Sequence, residues 1–382
     1  MFKCSRCGNE DPRYIGYKNE QPYCRRCIIF SGSGAKENDG KTYQSKLELH
    51  YELSSEQTEA SNRILNAISN GRDVLINAVC GAGKTELVFA VIKEALIKGR
   101  QVGFAIPRRD VVIEIYRRLK TVFPRNKIIA VYGGNNEELQ GEVVVLTSHQ
   151  LYRYESYFDL LIMDETDAFP FHGNPVLEAL FKRSCRGNYV MMSATLTETQ
   201  IKKFASGGGE IISLDRRYHG YPLPVPDVIL LLGILKHFFL IRKLRSFLAE
   251  NKPVFVFAPT IDKCEDLSFF VTKWVRGGTY VHSKRLDRQE VIKDFRKGKY
   301  KYLVTTAVLE RGVTVKNLQV VVFECDHEIY SASSLIQIAG RVGRKKDAPQ
   351  GEVIFLSDRK TRAMEEAIYH IRAKNKSMPN VL

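Results

Sequence analysis

Eight residues, Ala78-Val79-Cys80-Gly81-Ala82-Gly83-Lys84-Thr85, carry the plainest chemistry in the chain. They follow an apolar run, Val74-Leu75-Ile76, and precede a helical pattern over 86–97. Strand, glycine-rich turn and helix together make a phosphate site, because backbone N–H groups of the turn and helix start converge on one anion. Gly81 and Gly83 let the backbone approach without a Cβ. Lys84 offers a point charge to the outer phosphates, and Thr85 a hydroxyl to Mg²⁺. The strict pattern has Gly where Ala78 stands. Asp164-Glu165 closes a second apolar run, Leu160-Leu161-Ile162-Met163. Beside a phosphate loop such a pair fits metal-assisted hydrolysis: Asp164 holds Mg²⁺, and Glu165 orients and deprotonates the attacking water. Arg341 and Arg344, set among glycines in Gln337-Ile338-Ala339-Gly340-Arg341-Val342-Gly343-Arg344, suit two tasks. One is a finger on the transferring phosphate, worth about 10³-fold or more in rate; the other is a clamp on a nucleic-acid backbone.

The third chemistry is thiolate. Cys4 and Cys7 are separated by sixteen residues from Cys24 and Cys27, a spacing that predicts a closed four-sulfur zinc site. Too few apolar residues lie between to fold without metal. Arg6, Arg13, Lys18, Arg25 and Arg26 make the module basic, so it either touches nucleic acid or presents a surface to a protein. Cys80 reads as a small loop residue beside these better-spaced cysteines.

Elements must hold these groups. The chain has 382 residues, 44% hydrophobic and 26% charged, which suits two or three globular domains. The net charge of +15 points to a polyanionic partner, above all nucleic acid. No apolar core follows Met1-Phe2-Lys3-Cys4, so no secretory leader is expected. The apolar run 228–235 is too short to span a bilayer, which predicts a cytoplasmic protein. Residues 31–46 read as a linker. Alternation at Leu47, Leu49, Tyr51 and Leu53 predicts a strand, and Ser54-Ser55-Glu56-Gln57 a helix start running to Ile68. Apolar strands at 102–106, 128–132, 143–147, 159–163 and 189–192 then alternate with helices, which means a parallel sheet covered on both faces. The polar clusters fall at strand carboxyl ends, where such sheets bind ligands. Pro222, Pro224 and Pro226 predict an extended connection. A second alternating set follows: a helix over 230–250, strands at 253–257, 279–282, 302–306, 320–323 and 353–356, and a basic helix over 359–373 with a frayed tail. The expected domains are a zinc module (1–30), a linker (31–46), a first lobe (47–215), an inter-lobe linker (216–229) and a second lobe (230–382).

Taken together, 78–85, Pro107-Arg108, 147–150, 164–167, 193–195, 305–314 and 337–344 resemble, in order and spacing, the motif set of superfamily 2 helicases. Three features resemble the ComFA family of late competence proteins more closely. They are the N-terminal cysteines, the segment Arg216-Arg217-Tyr218-His219-Gly220-Tyr221-Pro222-Leu223-Pro224, and Leu309-Glu310-Arg311-Gly312-Val313-Thr314. The primosomal helicase PriA is a cousin with its zinc module inside the second lobe. The resemblance implies an α/β fold of two RecA-like lobes with an ATP cleft between them. It implies that Gln57 reads adenine, that residues 78–85 with Gly312 and Gln337 bind ATP, and that Ser193 and Thr195 couple the nucleotide site to the lobe interface. It assigns Lys84, Asp164, Glu165, Arg341 and Arg344 to catalysis. Many relatives have Asp where Thr314 stands, so no ribose contact is expected there; Asp167 decides little. DNA contacts are implied for Arg108, His149, Gln150, Thr260, His282, Thr305 and Thr306. Tyr152, Tyr154 and Tyr157 either stack on bases or pack a helix.

The resemblance implies an ATP-dependent single-stranded DNA translocase that draws transforming DNA into the cytoplasm, at the inner face of the cell membrane. ATP, Mg²⁺ and Zn²⁺ are its expected cofactors, and a ComFC-like protein and a ComEC-like channel its expected partners. The competing readings are a PriA-like or RNA-directed helicase that unwinds duplex, and a non-catalytic zinc and DNA-binding module.

Overall fold

A computed structural model describes residues 2–36, 45–49, 51–310 and 313–376. Gly312 lies outside the described residues, as do 37–44. The chain forms two compact units, 1–78 with 83–214, and 79–82 with 215–382.

The first unit opens with the antiparallel hairpin β1 (Ile15–Lys18) and β2 (Gln21–Cys24). Helix α1 (Ser55–Ser69) follows, fixed at its start by a reciprocal capping box of Ser54 and Gln57. The alternating elements are then β3 (Val74–Ala78), α2 (Lys84–Leu87), α3 (Phe89–Ile97), β4 (Val102–Ile106), α4 (Arg109–Val122), β5 (Ile128–Val131), β6 (Val143–Thr147), β7 (Phe158–Met163), α5 (Pro175–Ser184), β8 (Cys185–Ser193), α6 (Glu198–Ser206) and β9 (Glu210–Leu214). Among the described residues seven strands lie in the order β5-β6-β4-β7-β8-β3-β9, all parallel. Strands β3, β4 and β6 are buried at every position, as expected of strands with helices on both faces. The strand expected over 47–53 does not form among its described residues. Alternation alone gives no strand without a neighbour to pair with; of the described backbone there, Glu48 N–H finds an outside carbonyl, Val122 at 2.9 Å.

In the second unit the elements are β10 (Asp227–Leu230), α7 (Leu235–Ala249), β11 (Val254–Phe257), α8 (Ile261–Thr272), β12 (Gly278–Val281), α9 (Arg288–Arg296), β13 (Tyr302–Thr305), β14 (Gln319–Phe323), α10 (Ala332–Ala339), β15 (Val353–Ser357) and α11 (Arg362–Lys376). Among its described residues six strands lie in the order β10-β15-β14-β11-β13-β12, again all parallel. Two expectations are corrected here. Residues 227–230, expected partly as linker and partly as helix, form a strand, because β15 offers them a free edge. The tail expected to fray from Lys374 stays helical to Lys376, and Asn375 exchanges hydrogen bonds of 2.9 Å with both N–H and C=O of Leu223.

No helix among the described residues is long and apolar enough to cross a membrane.

Candidate nucleotide site and metal centre

Strand order gathers the first set of candidates. β7, β8 and β3 are neighbours, and Asn77 is in register with Ser193 and Met163 with Met191. The glycine-rich loop, Ser193–Thr195 and Asp164-Glu165 therefore leave three adjacent carboxyl ends. That is where an open parallel sheet binds its ligand.

The loop is shaped for an anion. Gly81 and Gly83 have φ of 86° and 80°, in the left-handed region that costs a side-chained residue about 1–2 kcal/mol. A Cβ on Gly83 would also stand 2.3 Å from Nε2 of Gln57. Gly83 heads α2, so the backbone N–H groups of Lys84 and Thr85 open a helix start; Thr85 is buried and Lys84 half-buried. Gln57 is itself buried, and its Oε1 accepts from Ser54 N–H at 3.0 Å. Gln57 thus both fixes the start of α1 and stands against Gly83 of the loop. Within the second unit, Cys80 donates its thiol to Oε1 of Gln337 at 2.9 Å, so this cysteine is the partner of a motif glutamine.

Asp164 is buried, and its Oδ1 accepts from Glu165 N–H at 2.8 Å. Glu165 holds φ of 56°, a strained value for a glutamate of the sort that persists at functional sites. Thr195 donates its hydroxyl to Oδ2 of Asp167 at 2.7 Å, and its N–H to Ser193 Oγ at 3.1 Å. Asp167, which sequence reasoning passed over, is thus the acceptor that ties the acidic turn to 193–195. Beside the loop, Glu86 pairs with Arg118, whose guanidinium burial holds below its ordinary pKa, and accepts from Tyr51 at 3.2 Å.

In the second unit Arg341 is buried and donates Nη1 to Val313 C=O at 3.0 Å. Arg344 is half-buried, with Nε on Gly340 C=O at 2.9 Å.

The residues implied for DNA contact divide sharply. Arg108 precedes α4 and Thr306 follows β13, both half-buried. Thr260 caps α8 through Lys263 N–H at 3.2 Å. Thr305 is fully buried and bonds Val281 C=O at 2.9 Å, and His282 is buried against Glu265 at 2.8 Å. His149 is half-buried, and burial lowers its pKa; Gln150 accepts from Arg153 at 2.7 Å. Tyr154 and Tyr157 pack in the core with Phe158.

The cysteine cluster fits its metal. The four Sγ atoms lie within 4.8 Å of one another, with Cys4 to Cys27 at 3.8 Å and Cys7 to Cys24 at 3.7 Å. Those separations exceed a disulfide's about 2.05 Å and match the about 3.8 Å edge of a tetrahedron with Zn–S near 2.3 Å. Burial, then the neighbouring thiols, push the Cys27 thiol up, and a metal would hold it as the thiolate. The module is not tethered loosely. Cys4, Cys24, Cys27 and Phe30 belong to the core that holds Leu151 and Tyr154. Residues 31–36, expected as linker, lie on the turn Ser148–Arg153: Tyr152 donates to Ser31 C=O at 2.5 Å, Arg153 to Ser33 C=O at 2.7 Å, and Ala35 N–H to Arg153 C=O at 2.9 Å.

This geometry is that of an ATP-hydrolysing, helicase-type enzyme that works with Mg²⁺, and comparison with known proteins agrees. Residues 50–197 match the model of the type III restriction enzyme res subunit, and residues 239–346 that of the helicase conserved C-terminal domain. Among solved structures, the chain superposes on S. cerevisiae Dbp5 bound to RNA and ADP BeF3 with a TM-score of 0.64, at 15% identity, over 86% of this chain and 93% of that one. It superposes on Mycobacterium smegmatis helicase Lhr bound to ssDNA and AMP-PNP with a TM-score of 0.61, at 17% identity, over 85% and 50%. The chain belongs to the ComFA family of competence proteins. It is 34% identical to competence protein ComFA of Bacillus subtilis (strain 168) over 98% of this chain and 86% of the relative. It is 34% identical to that of Streptococcus pneumoniae (strain ATCC BAA-255 / R6) over 93% and 86%.

Proposed function

We propose that this enzyme is an ATP-driven motor on single-stranded DNA that helps draw transforming DNA into the cytoplasm. One observation carries the reading: the phosphate loop, the acidic pair and the Ser193–Thr195 turn leave adjacent strands of one sheet. Loop N–H groups and Lys84 hold the triphosphate, and Glu165 takes a proton from the attacking water. Thr85 and Asp164 are the residues that would hold Mg²⁺, which neutralises phosphate charge when bound. Arg344, with Arg341 of the same motif, meets the charge that develops on the transferring phosphate. Thr195 passes the change at the acidic turn on to the residues that grip the strand; of those implied, Arg108, His149, Gln150, Thr260 and Thr306 are only half-buried. The net charge of +15 supports a polyanionic partner. The two competence relatives support the transformation role, with a ComFC-like protein and a ComEC-like channel as partners at the inner face of the membrane. Cys4, Cys7, Cys24 and Cys27 would hold Zn²⁺ in a structural role.

The test is phosphate release by wild type, Lys84→Ala and Glu165→Gln with single-stranded DNA, duplex DNA or RNA. Single-stranded DNA is expected to stimulate wild type most, and each variant to lose about 10²-fold or more. Equal release in all three proteins sinks the motor reading, and equal stimulation by RNA sinks the single-stranded DNA assignment.

A further inference from the structure

Arg217 stands in the segment before β10 and is among the most deeply buried large side chains, at 2% exposure. Its Nη1 donates to Val342 C=O at 2.7 Å and Gly343 C=O at 2.8 Å, and its Nη2 to Gly340 C=O at 3.4 Å. Among the described residues no carboxylate pairs with it, and its buried Nε has no partner. A buried cation held only by neutral carbonyls is an expensive structural device, since several kcal/mol of lost hydration go without a counter-charge. Simple packing of a loop does not require it. The carbonyls it takes lie at and just past the C-terminal end of α10, where the helix dipole is negative.

The neighbours of Arg217 grip the same turn. His219 Nε2 donates to Gly343 C=O at 2.9 Å while its Nδ1 accepts Tyr221 N–H at 3.2 Å, so the neutral ring with its proton on Nε2 serves both. Tyr218 donates to Arg344 C=O at 3.3 Å. Gly343 holds φ of 68°, and a Cβ there would stand 2.1 Å from Pro349 C=O and 3.0 Å from Nη1 of Arg217. The turn is therefore built tightly around this guanidinium.

We propose that Arg217 is a positioning residue for hydrolysis: by clasping the carbonyls of Gly340, Val342 and Gly343 it fixes the backbone from which Arg344 projects. Arg344 shares the Gly340 carbonyl with Arg217, at 2.9 Å from its own Nε. Both guanidiniums therefore converge on the Gly340 carbonyl. Burial, then the Arg344 charge, holds Arg217 down to about 10. This inference rests on the reading of Arg344 as the residue that meets the transferring phosphate.

The test is a double-mutant cycle on kcat for DNA-stimulated ATP hydrolysis, using Arg217→Gln, Arg344→Gln and both together, with Arg217→Lys as the conservative variant. Arg344→Gln is expected to lower kcat by about 10³-fold. Arg217→Gln alone is expected to lower it by about tenfold to 10²-fold, with KM for ATP and the melting temperature little changed, and to cost less than about twofold on top of Arg344→Gln. Arg217→Lys, which keeps the charge but replaces the planar fork with a compact ammonium that cannot span the same carbonyls from two nitrogens, is expected to lower kcat by about tenfold. If Arg217→Gln does not fold, the cycle is run with Arg217→Lys. Independent, multiplicative losses in the double variant overturn the proposal, as does an Arg217→Lys enzyme with wild-type kcat. A wild type that hydrolyses no ATP overturns instead the functional reading beneath it.

Discussion

Thr195 donates a hydrogen bond from its hydroxyl to Oδ2 of Asp167 across 2.7 Å, joining the end of β8 to the acidic turn after β7. A hydrogen bond to a carboxylate contributes about 1.5–3 kcal/mol, enough to make the two turns move together. Since Thr195 lies outside the loop that takes the phosphates, Thr195→Ala is expected to hydrolyse ATP within about threefold of wild type. Movement along DNA should fall by about tenfold or more, the size of a typical coupling energy. Displacement of a roadblock from the end of a single strand, measured beside phosphate release, checks this. Equal losses in both would show that the pair only supports the site.

Gly83→Ala is a sharper probe of the phosphate loop than its mild chemistry suggests. The methyl meets Gln57 Nε2 at 2.3 Å, on a backbone whose φ of 80° already disfavours it by about 1–2 kcal/mol. Nucleotide affinity, read with a fluorescent ATP analogue, is expected to drop by about tenfold or more. Against Gln57→Ala, which removes the clash together with the adenine contact implied for Gln57, Gly83→Ala should cost less affinity than it does against wild type; no cost at all on that background would mean that φ is not a constraint here.

His219 gives the chain an acid-sensitive point. Burial, then the charge of Arg217, lowers its pKa from 6.5, and the rings of Tyr218 and Tyr221 pack beside it. The neutral ring therefore contributes fully above about pH 6.5, and that contribution is lost as pH falls through the lower folded value. Melting temperature is expected to decline on going from pH 7.5 to 5.5, and His219→Gln to flatten part of that slope. An unchanged slope in the variant would place the acid sensitivity elsewhere.

Removal of metal should be felt well beyond the hairpin. Three of the four cysteines sit in the same core as Leu151 and Tyr154. One zinc per chain is expected by elemental mass spectrometry. A strong chelator, or Cys7→Ser with Cys24→Ser, is expected to expose 30–36 and the turn Ser148–Arg153 to protease, since metal binding supplies folding free energy. Protection that survives chelation would count against a structural metal.

Much of this was legible in the residues. The buried strands of both sheets announced themselves as short apolar runs, because a strand covered on both faces has no polar side to alternate with. The phosphate loop was equally plain, since its glycines are dictated by backbone geometry. Other features depend on partners far along the chain. Val228-Ile229-Leu230 has no period to separate strand from helix, and only the edge of β15 decides it. The burial of Arg217 has no local sign: an arginine among prolines and tyrosines reads as solvated connection. Thr305 and His282 looked like groove residues because they end strands, yet both side chains turn inward to bond the fold. Residues 31–36 look flexible by composition but are held by Tyr152 and Arg153, more than a hundred positions away.

The pairing of β10 with β15 also bears on how the enzyme is made. Among the described residues, the first strand of the second unit finds its one neighbour in that unit's last strand, 227–230 against 354–357. On the ribosome, more than a hundred residues must emerge before that edge can be covered. In the interval residues 227–230 would have no strand to pair with, and beside them Leu232, Ile234 and Leu235 are more than half exposed even in the finished fold. A message cut short before 353 would yield a product with a sticky strand and no mate, a natural substrate for chaperones and proteases.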